Sequence, residues 1–184
     1  MKNIKSSFMI AVLTFLLAIL VTLSSQSRVQ HLSFFPALLV LIIIILVGIM
    51  ADMIGVAVTA ADPSSFNARA AKKVFGAKTS LFLVTHADRV ASLMCDIIGD
   101  ICGTVSGAIG IVIGMKIVEN WGGSQSIINL VTLGLISSLT VGGKAFFKSY
   151  GIKNADKIIF SVGKVLAVFK LFGTGISSRL RGEY

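Results

Sequence analysis

Four long apolar stretches follow one another along the chain, and short polar segments separate them. They cover Ser7 to Leu23, Leu32 to Ala61, Ile97 to Val118 and Ile127 to Phe147. The second is interrupted by a single charged residue, Asp52. Because a helix of about 20 mainly apolar residues crosses a bilayer, the pattern predicts four transmembrane helices.

Composition places the whole chain in the same class. Of its 184 residues, 55% are hydrophobic and 14% charged, and the mean hydropathy is +0.92. An ordinary soluble domain is less apolar, so we expect an all-α integral membrane protein of the cell membrane. Both histidines lie outside the predicted spans, and no GxSxG motif occurs. The sequence therefore predicts neither an enzyme nor an organic cofactor. In a membrane protein, the net charge of +9 indicates anionic lipid rather than nucleic acid as the binding partner.

Two basic segments with helical periodicity lie outside the predicted spans, at residues 63–95 and 152–184. Basic amphipathic helices lie in the headgroup plane, where each basic residue contributes about 1 kcal/mol of attraction to anionic lipid. We therefore predict two juxtamembrane helical segments that bind acidic headgroups. A groove for a protein partner is the alternative interpretation.

Basic residues are distributed unevenly between the two sides of the predicted membrane. Two precede the first span, five lie between the second and third, and eight follow from Lys144 onward. Only Arg28 and Lys116 fall on the other side. Cytoplasmic loops hold the Lys and Arg, so both termini are predicted to be cytoplasmic.

The predicted spans suggest three parts of the chain. Residues 1–31 form an additional span and a short external loop, residues 32–151 a three-span core that includes the cytoplasmic segment 63–95, and residues 152–184 a basic helix and tail. A secretory signal peptide is the competing interpretation of the first apolar stretch.

Acidic residues inside or beside apolar stretches are the candidate functional groups, because a carboxylate in a span costs about 2.5–3.5 kcal/mol on insertion scales. Asp52 and Asp100 are the main candidates, and Asp96 precedes Asp100 by one turn. Hard cations such as Mg²⁺ bind carboxylate, hydroxyl and carbonyl oxygens. If the spans converge, Asp52, Asp96, Asp100 and Thr140 form a predicted metal site. Internal hydrogen bonds are the structural alternative.

Glycines mark predicted points of close helix contact. Gly99, Gly103 and Gly107 recur every four residues, which favours close approach of another helix. Gly142 and Gly143 are expected to weaken or break the fourth helix and to free backbone carbonyls.

From about Leu38 to Lys170, the order of spans and basic helices resembles the membrane domain of the cyclin M / CorB-CorC magnesium transporters. The similar stretches are Asp52 to Val58, Ile98-Gly99-Asp100 and Leu139 to Lys144. Asp52 and Asp100 stand where the family has serine and asparagine. Gly55 and Thr140 stand where it has glutamates, and the proline before the lysine is absent.

The resemblance implies a homodimer that transports Mg²⁺ through an intramembrane site. The CBS domains of the family have no counterpart in these residues, so a regulatory module would come from a separate chain. The alternative is a membrane protein that does not transport: a lipid-binding scaffold, an accessory subunit or a small holin-like protein. Asp52 with Asp100 favours the first hypothesis, because a scaffold does not need two carboxylates in adjoining spans.

Overall fold

The computed structural model describes the backbone of residues 2–180 and the side chains of residues 8–170. Helix makes up 91% of the structure, and no strand occurs in the described part. The helices are α1 (Lys2–Gln30), α2 (Phe34–Ala60), α3 (Pro63–Ala71), α4 (Ala77–Thr85), α5 (Ala87–Ala91), α6 (Asp100–Trp121), α7 (Gln125–Lys153) and α8 (Ala155–Leu180). A π-helix at Ser92–Gly99 joins α5 to α6.

Four helical stretches within the described residues are long and apolar enough to cross a membrane: Phe8–Gln30, Phe34–Ala60, Ala87–Trp121 and Gln125–Lys153. Large apolar side chains point outward along them, among them Phe8, Phe35, Leu130 and Phe146. Contiguous exposed apolar surface of this extent is rare on soluble monomers. The predicted all-α architecture with four candidate spans is confirmed, and it supports a multi-pass membrane protein.

The chain divides into two compact units. We call residues 1–52 and 94–147 the span unit, and residues 53–93 and 148–184 the short-helix unit. Helices α2 and α7 each contribute residues to both units.

The span unit is built around an apolar core between α2 and α6. The buried residues of this core include Leu41, Ile45 and Ile49 on α2 and Val105 and Ile109 on α6. Ile136 of α7 and Val29 of α1 complete it. Buried positions on α2 recur every four residues because that spacing keeps side chains on one helix face.

Polar contacts define the ends of the long helices in the span unit. The Lys116 ammonium donates to the Gln30 carbonyl oxygen over 2.9 Å, which connects α6 to the end of α1. Gly122 and Gly123 have φ of 77° and 113°, a left-handed backbone that glycine adopts without a Cβ penalty. These two residues allow α6 to stop and α7 to begin after a tight turn.

The short-helix unit has its own core, in which Phe66 of α3, Leu83 and Val84 of α4 and Ile159 of α8 are buried. Asp62 caps α3 by accepting hydrogen bonds from the backbone N–H and hydroxyl of Ser64, and Pro63 occupies the first helical position. These bonds hold the pKa of the Asp62 carboxyl below its usual value. Asp156 of α8 accepts from the Asp62 backbone N–H, which ties α8 to this cap.

Segment 63–95 differs from the single amphipathic stretch that the sequence predicts. Lys73 and Gly76, with φ of 54° and 82°, end α3 and start α4, and α3 packs on α4 rather than continuing along one axis. Phe66, an apolar residue of the segment predicted to lie in the headgroup plane, is fully buried. The third span also begins earlier than Ile97, because helical structure is almost continuous from Ala87 to Trp121.

Two predictions about glycines were wrong. Helix α7 continues through Gly142 and Gly143, because a helix tolerates glycine where neighbouring packing supports it; Gly143 contacts Ile49 of α2. Gly103 and Gly107 have no described atom within 4 Å of the position that a Cβ would occupy. They therefore face outward on α6, whereas Gly110 and Gly114 of the same helix lie against Ile136 and Asn129 of α7.

Candidate functional site

A carboxylate and an ammonium meet inside the candidate spans of the span unit. Lys144 Nζ on α7 lies 3.1 Å from Asp52 Oδ2 on α2, and the two side chains are 25% and 22% exposed. Opposite charges inside membrane spans pair with each other or line a polar path. Asp52 is thus neutralised in this structure by a neighbouring helix.

The second oxygen of the same carboxylate has a different environment. Asp52 Oδ1 is buried and has no hydrogen-bond partner among the described residues. Buried polar atoms are nearly always satisfied by protein or water, so an exception calls for an explanation. A carboxylate oxygen in this environment can accept a hydrogen bond from a donor group or a water molecule, or it can bind a cation.

Gly99, at the end of the π-helix, contacts this oxygen directly. A Cβ at residue 99 would collide with Asp52 Oδ1 and would lie 3.5 Å from Lys144 Nζ. The absence of a side chain at Gly99 therefore leaves the space that the carboxylate occupies. Cys95, one turn earlier, donates from Sγ to the Asp52 backbone oxygen over 3.8 Å. π-Helices are rare and are frequent at functional sites.

Small residues bring three helices together at the pair. A Cβ at Gly48, one turn before Asp52, would lie 2.9 Å from Cys102 Cβ on α6. Gly143, adjacent to Lys144, contacts Ile49 of α2 in the same manner. Small residues allow membrane helices to approach closely, so Asp52 lies where α2 is closest to both α6 and α7.

The other predicted carboxylates lie in different surroundings. Asp100, the first residue of α6, is exposed, and its backbone oxygen accepts a hydrogen bond from the Thr104 hydroxyl over 3.0 Å. Asp96 is exposed within the π-helix. Both remain predicted ligands.

Thr140 lies one turn before Lys144 on α7 and is half-buried. Its hydroxyl donates to the Ile136 carbonyl oxygen over 2.7 Å. The oxygen lone pairs of the hydroxyl can still accept a hydrogen bond or bind a cation. Because α7 is unbroken at Gly142 and Gly143, the backbone carbonyls there stay within the helix and are not freed as ligands.

A preformed metal cage is absent from the described residues, where no group of three or more His, Cys, Asp or Glu side chains could hold a metal ion. The predicted set of Asp52, Asp96, Asp100 and Thr140 stays a prediction. The arrangement that the structure does contain is one carboxylate, one ammonium and one half-buried hydroxyl. Such a set can bind a cation only weakly, or only after the ammonium has moved.

The pairing of Lys144 with a carboxylate was not predicted from the sequence. Lys144 was counted as a basic residue that follows the fourth span, yet it lies inside a continuous 29-residue helix. The available signal was complementary charge, since a lysine in one apolar helix is a natural partner for an aspartate in another. Which of several carboxylates it would choose depends on how the helices pack.

Comparison with protein-family models, with curated proteins and with solved structures finds no match to this chain. A relationship to the cyclin M / CorB-CorC transporters therefore stays a prediction from the sequence.

Proposed function

We propose that this chain moves a small hard cation, with Mg²⁺ as the expected ion, across the cell membrane through the span unit. The observation that carries the proposal is the Asp52–Lys144 pair, which puts opposite charges inside candidate spans and leaves one buried carboxylate oxygen without a described partner. A carboxylate at this depth is costly, and ion binding is a function that justifies the cost.

Lys144 has a specific role in this proposal. Its ammonium compensates the Asp52 charge when no ion is bound, so the empty site stays neutral overall. An arriving cation replaces this interaction and recruits Asp52 Oδ1, while Lys144 moves away from the ion. Mg²⁺ retains several waters and needs only one or two carboxylates, which suits a site with few protein ligands. The Thr140 hydroxyl, one turn before Lys144 on α7, is a predicted additional ligand.

Topology and assembly belong to the same proposal. The excess of basic residues before the first span, between the second and third spans and from Lys144 onward supports cytoplasmic termini. The outward-facing Gly103 and Gly107 on α6 offer a surface for close helix contact, in line with a homodimer. The exposed Asp100 at the start of the same helix would then be covered by the second copy.

The test is Mg²⁺ uptake into proteoliposomes that contain a fluorescent Mg²⁺ indicator. Asp52→Asn keeps the size of the side chain and removes its charge, so we expect flux to fall at least about tenfold, the loss that corresponds to roughly 1.4 kcal/mol. Glu119→Gln on α6 and Lys153→Met at the end of α7 are matched controls, because each removes an exposed charge outside the pair. Equal flux in Asp52→Asn and wild type would refute the proposed site.

A second candidate function is a non-transporting scaffold or accessory subunit, in which the pair only joins α2 to α7. Two observations favour it. Lys144 already neutralises Asp52, and no group of three His, Cys, Asp or Glu side chains that could hold a metal ion occurs in the described residues. The double variant Asp52→Asn/Lys144→Met separates the two functions. If the pair is purely structural, wild-type protein shows no flux in any ion gradient, and the double variant remains folded and keeps its oligomeric state.

A further inference from the structure

A cavity of about 470 Å³ lies in the short-helix unit, between the start of α4 and the last described turn of α8. Three lysines line it: Lys73 and Lys78 from the α3–α4 region and Lys170 from α8. Thr79 also lines it. None of the described residues that line the cavity is acidic. The described lining therefore contains three basic side chains and no carboxylate.

The fold brings these lysines together through the connection between α3 and α4. Lys73 has a left-handed backbone with φ of 54°, a conformation that is uncommon for a residue with a side chain. Gly76 follows with φ of 82° and packs on α8, where a Cβ would lie 2.9 Å from the Lys164 Cα atom. The connection thus reverses direction against α8 and places Lys73 and Lys78 near Lys170.

A second cavity, of about 480 Å³, continues from the first and shares Lys78, Thr79 and Lys170 with it. Its remaining lining residues are apolar: Phe82 and Leu83 of α4 and Leu166 of α8. Phe82 is 59% and Leu166 is 42% exposed. A cationic compartment therefore adjoins an apolar one, and the same three residues line both.

The first cavity has apolar members of its own at the connection between the helices. Val74 and Phe75 line it beside the lysines and are 41% and 50% exposed. Inorganic phosphate has no apolar part that could pack against these side chains. A phosphate that carries hydrocarbon chains would contact both kinds of surface at once.

We propose that these two cavities form a binding site for an anionic phospholipid. The headgroup phosphate contacts Lys73, Lys78 and Lys170, with the Thr79 hydroxyl as a further donor, and an acyl chain lies along Phe82 and Leu166. The shared ligand chemistry is the phosphate group, for which lysine is a common partner. The apolar lining favours a lipid as its source. The proposal is independent of cation transport and of the Asp52–Lys144 pair.

The experiment uses the full-length chain in a neutral detergent and counts bound lipid by native mass spectrometry. Dioleoylphosphatidylglycerol is the anionic probe, dioleoylphosphatidylcholine the zwitterionic probe, and inorganic phosphate the soluble one. We expect phosphatidylglycerol to be retained at least about tenfold more tightly than phosphatidylcholine, since each basic residue near an anionic headgroup adds about a factor of five. No preference between the two lipids would overturn the proposal.

Charge variants locate the site. In Lys73→Gln/Lys78→Gln/Lys170→Gln we expect affinity for phosphatidylglycerol to fall about a hundredfold, from three such contributions. The matched control is Lys148→Gln/Lys153→Gln/Lys157→Gln, which removes equal charge from exposed positions that line neither cavity. An equal loss in both variants would mean that only net charge matters, and it would overturn the proposed site.

Two further measurements keep the test decisive. If the triple variant does not fold, as judged by circular dichroism and size-exclusion chromatography, Lys78→Gln and Leu166→Gln are measured singly. Each is expected to weaken phosphatidylglycerol binding, the first through the headgroup and the second through the chain. Displacement of the lipid by equimolar inorganic phosphate would identify free phosphate as the ligand and would overturn the lipid assignment.

Discussion

The span unit and the short-helix unit handle charge in opposite ways. The span unit places Asp52 and Lys144 against each other among apolar side chains, so that each compensates the other. The short-helix unit places Lys73, Lys78 and Lys170 along one open cavity, and none of the described residues that line it is acidic. A charge in an apolar interior is costly unless it is paired, whereas several like charges can line a cavity that is open to solvent.

The two units also differ in how their glycines are used. In the span unit, Gly48 and Gly99 bring α6 close to Asp52 and its neighbours on α2. In the short-helix unit, Gly163 of α8 lies against the backbone of Ser80 on α4. The first set shapes a polar site, and the second joins two helices into a core. Four predictions test this contrast.

The largest expected effect comes from breaking the ion pair on one side. Asp52→Ala leaves the Lys144 ammonium without a partner inside a span, so we expect a loss of about 2–4 kcal/mol in the free energy of unfolding. This is somewhat below the loss for a fully buried pair, because both groups are partly exposed. The measurement is unfolding in SDS, followed by circular dichroism. Asp52→Ala/Lys144→Ala should recover most of the loss, and a double variant no better than the single one would contradict the pairing.

Gly163→Ala probes close packing in the short-helix unit. A Cβ there would collide with the Ser80 hydroxyl and would lie 2.9 Å from the Ser80 backbone nitrogen, so α4 and α8 must separate at a cost of about 1–3 kcal/mol. Gly134→Ala on α7 is the matched control, because its Cβ would meet no described atom within 4 Å. It should change stability by less than about 1 kcal/mol. Equal effects at both positions would contradict the packing described for α8. The same SDS titration measures both.

Ser80→Ala tests the hydrogen bonds at this helix crossing. The buried Ser80 hydroxyl lies 3.1 Å from the Gly76 oxygen and 3.3 Å from the Ile159 oxygen, so its loss should cost about 1 kcal/mol. Thr85→Ala is a suitable control, since its hydroxyl bonds to Phe82 within the same exposed turn. A Ser80→Ala variant as stable as wild type would show that the bond to α8 contributes nothing.

The smallest expected effect is a dependence of the protein's stability on pH. The pKa of Asp62 is lowered chiefly by the Ser64 hydroxyl and then by the Ser64 backbone N–H. The carboxylate therefore stabilises α3 at pH values above the ordinary aspartate pKa of 3.8, and this contribution disappears as the pH falls through the lower pKa of the folded state. We expect Asp62→Ala to be less stable than wild type at about pH 6 and equally stable at about pH 2. Thermal unfolding at both values measures the difference, and a gap that persists in acid would contradict the charged cap.

Part of the fold could be read from the order of residues. Four apolar stretches of sufficient length predicted four candidate spans, because the bilayer sets a minimum length that local sequence alone reveals. Asp62 and Pro63, at the start of α3, are local signals of the same kind, since an aspartate cap and a proline at the first helical position both favour the start of a helix. The candidate site was visible only in part. Asp52 stood out as a charge in an apolar stretch, whereas its partner Lys144 was assigned to the residues that follow the span.

Contacts between distant residues could not be predicted in the same way. Four-residue spacing marked Gly99, Gly103 and Gly107 as equivalent, but of these three Gly99 packs on Asp52, while the other two face outward. Spacing defines a helix face without defining what covers it, and the π-helix before Asp100 has no signature that the sequence pattern revealed. For the same reason, Phe66 lies in a core, although its segment was predicted to lie in the headgroup plane.

The sequence by itself determined the class of protein, the candidate spans and the uneven distribution of basic residues, because hydropathy and charge act on each segment separately. Tertiary structure alone decided that Asp52 meets Lys144, that Gly99 makes room for the carboxylate, and that lysines from the α3–α4 connection, α4 and α8 line one cavity. These arrangements depend on which helix faces meet, and packing between segments far apart in the chain determines those faces.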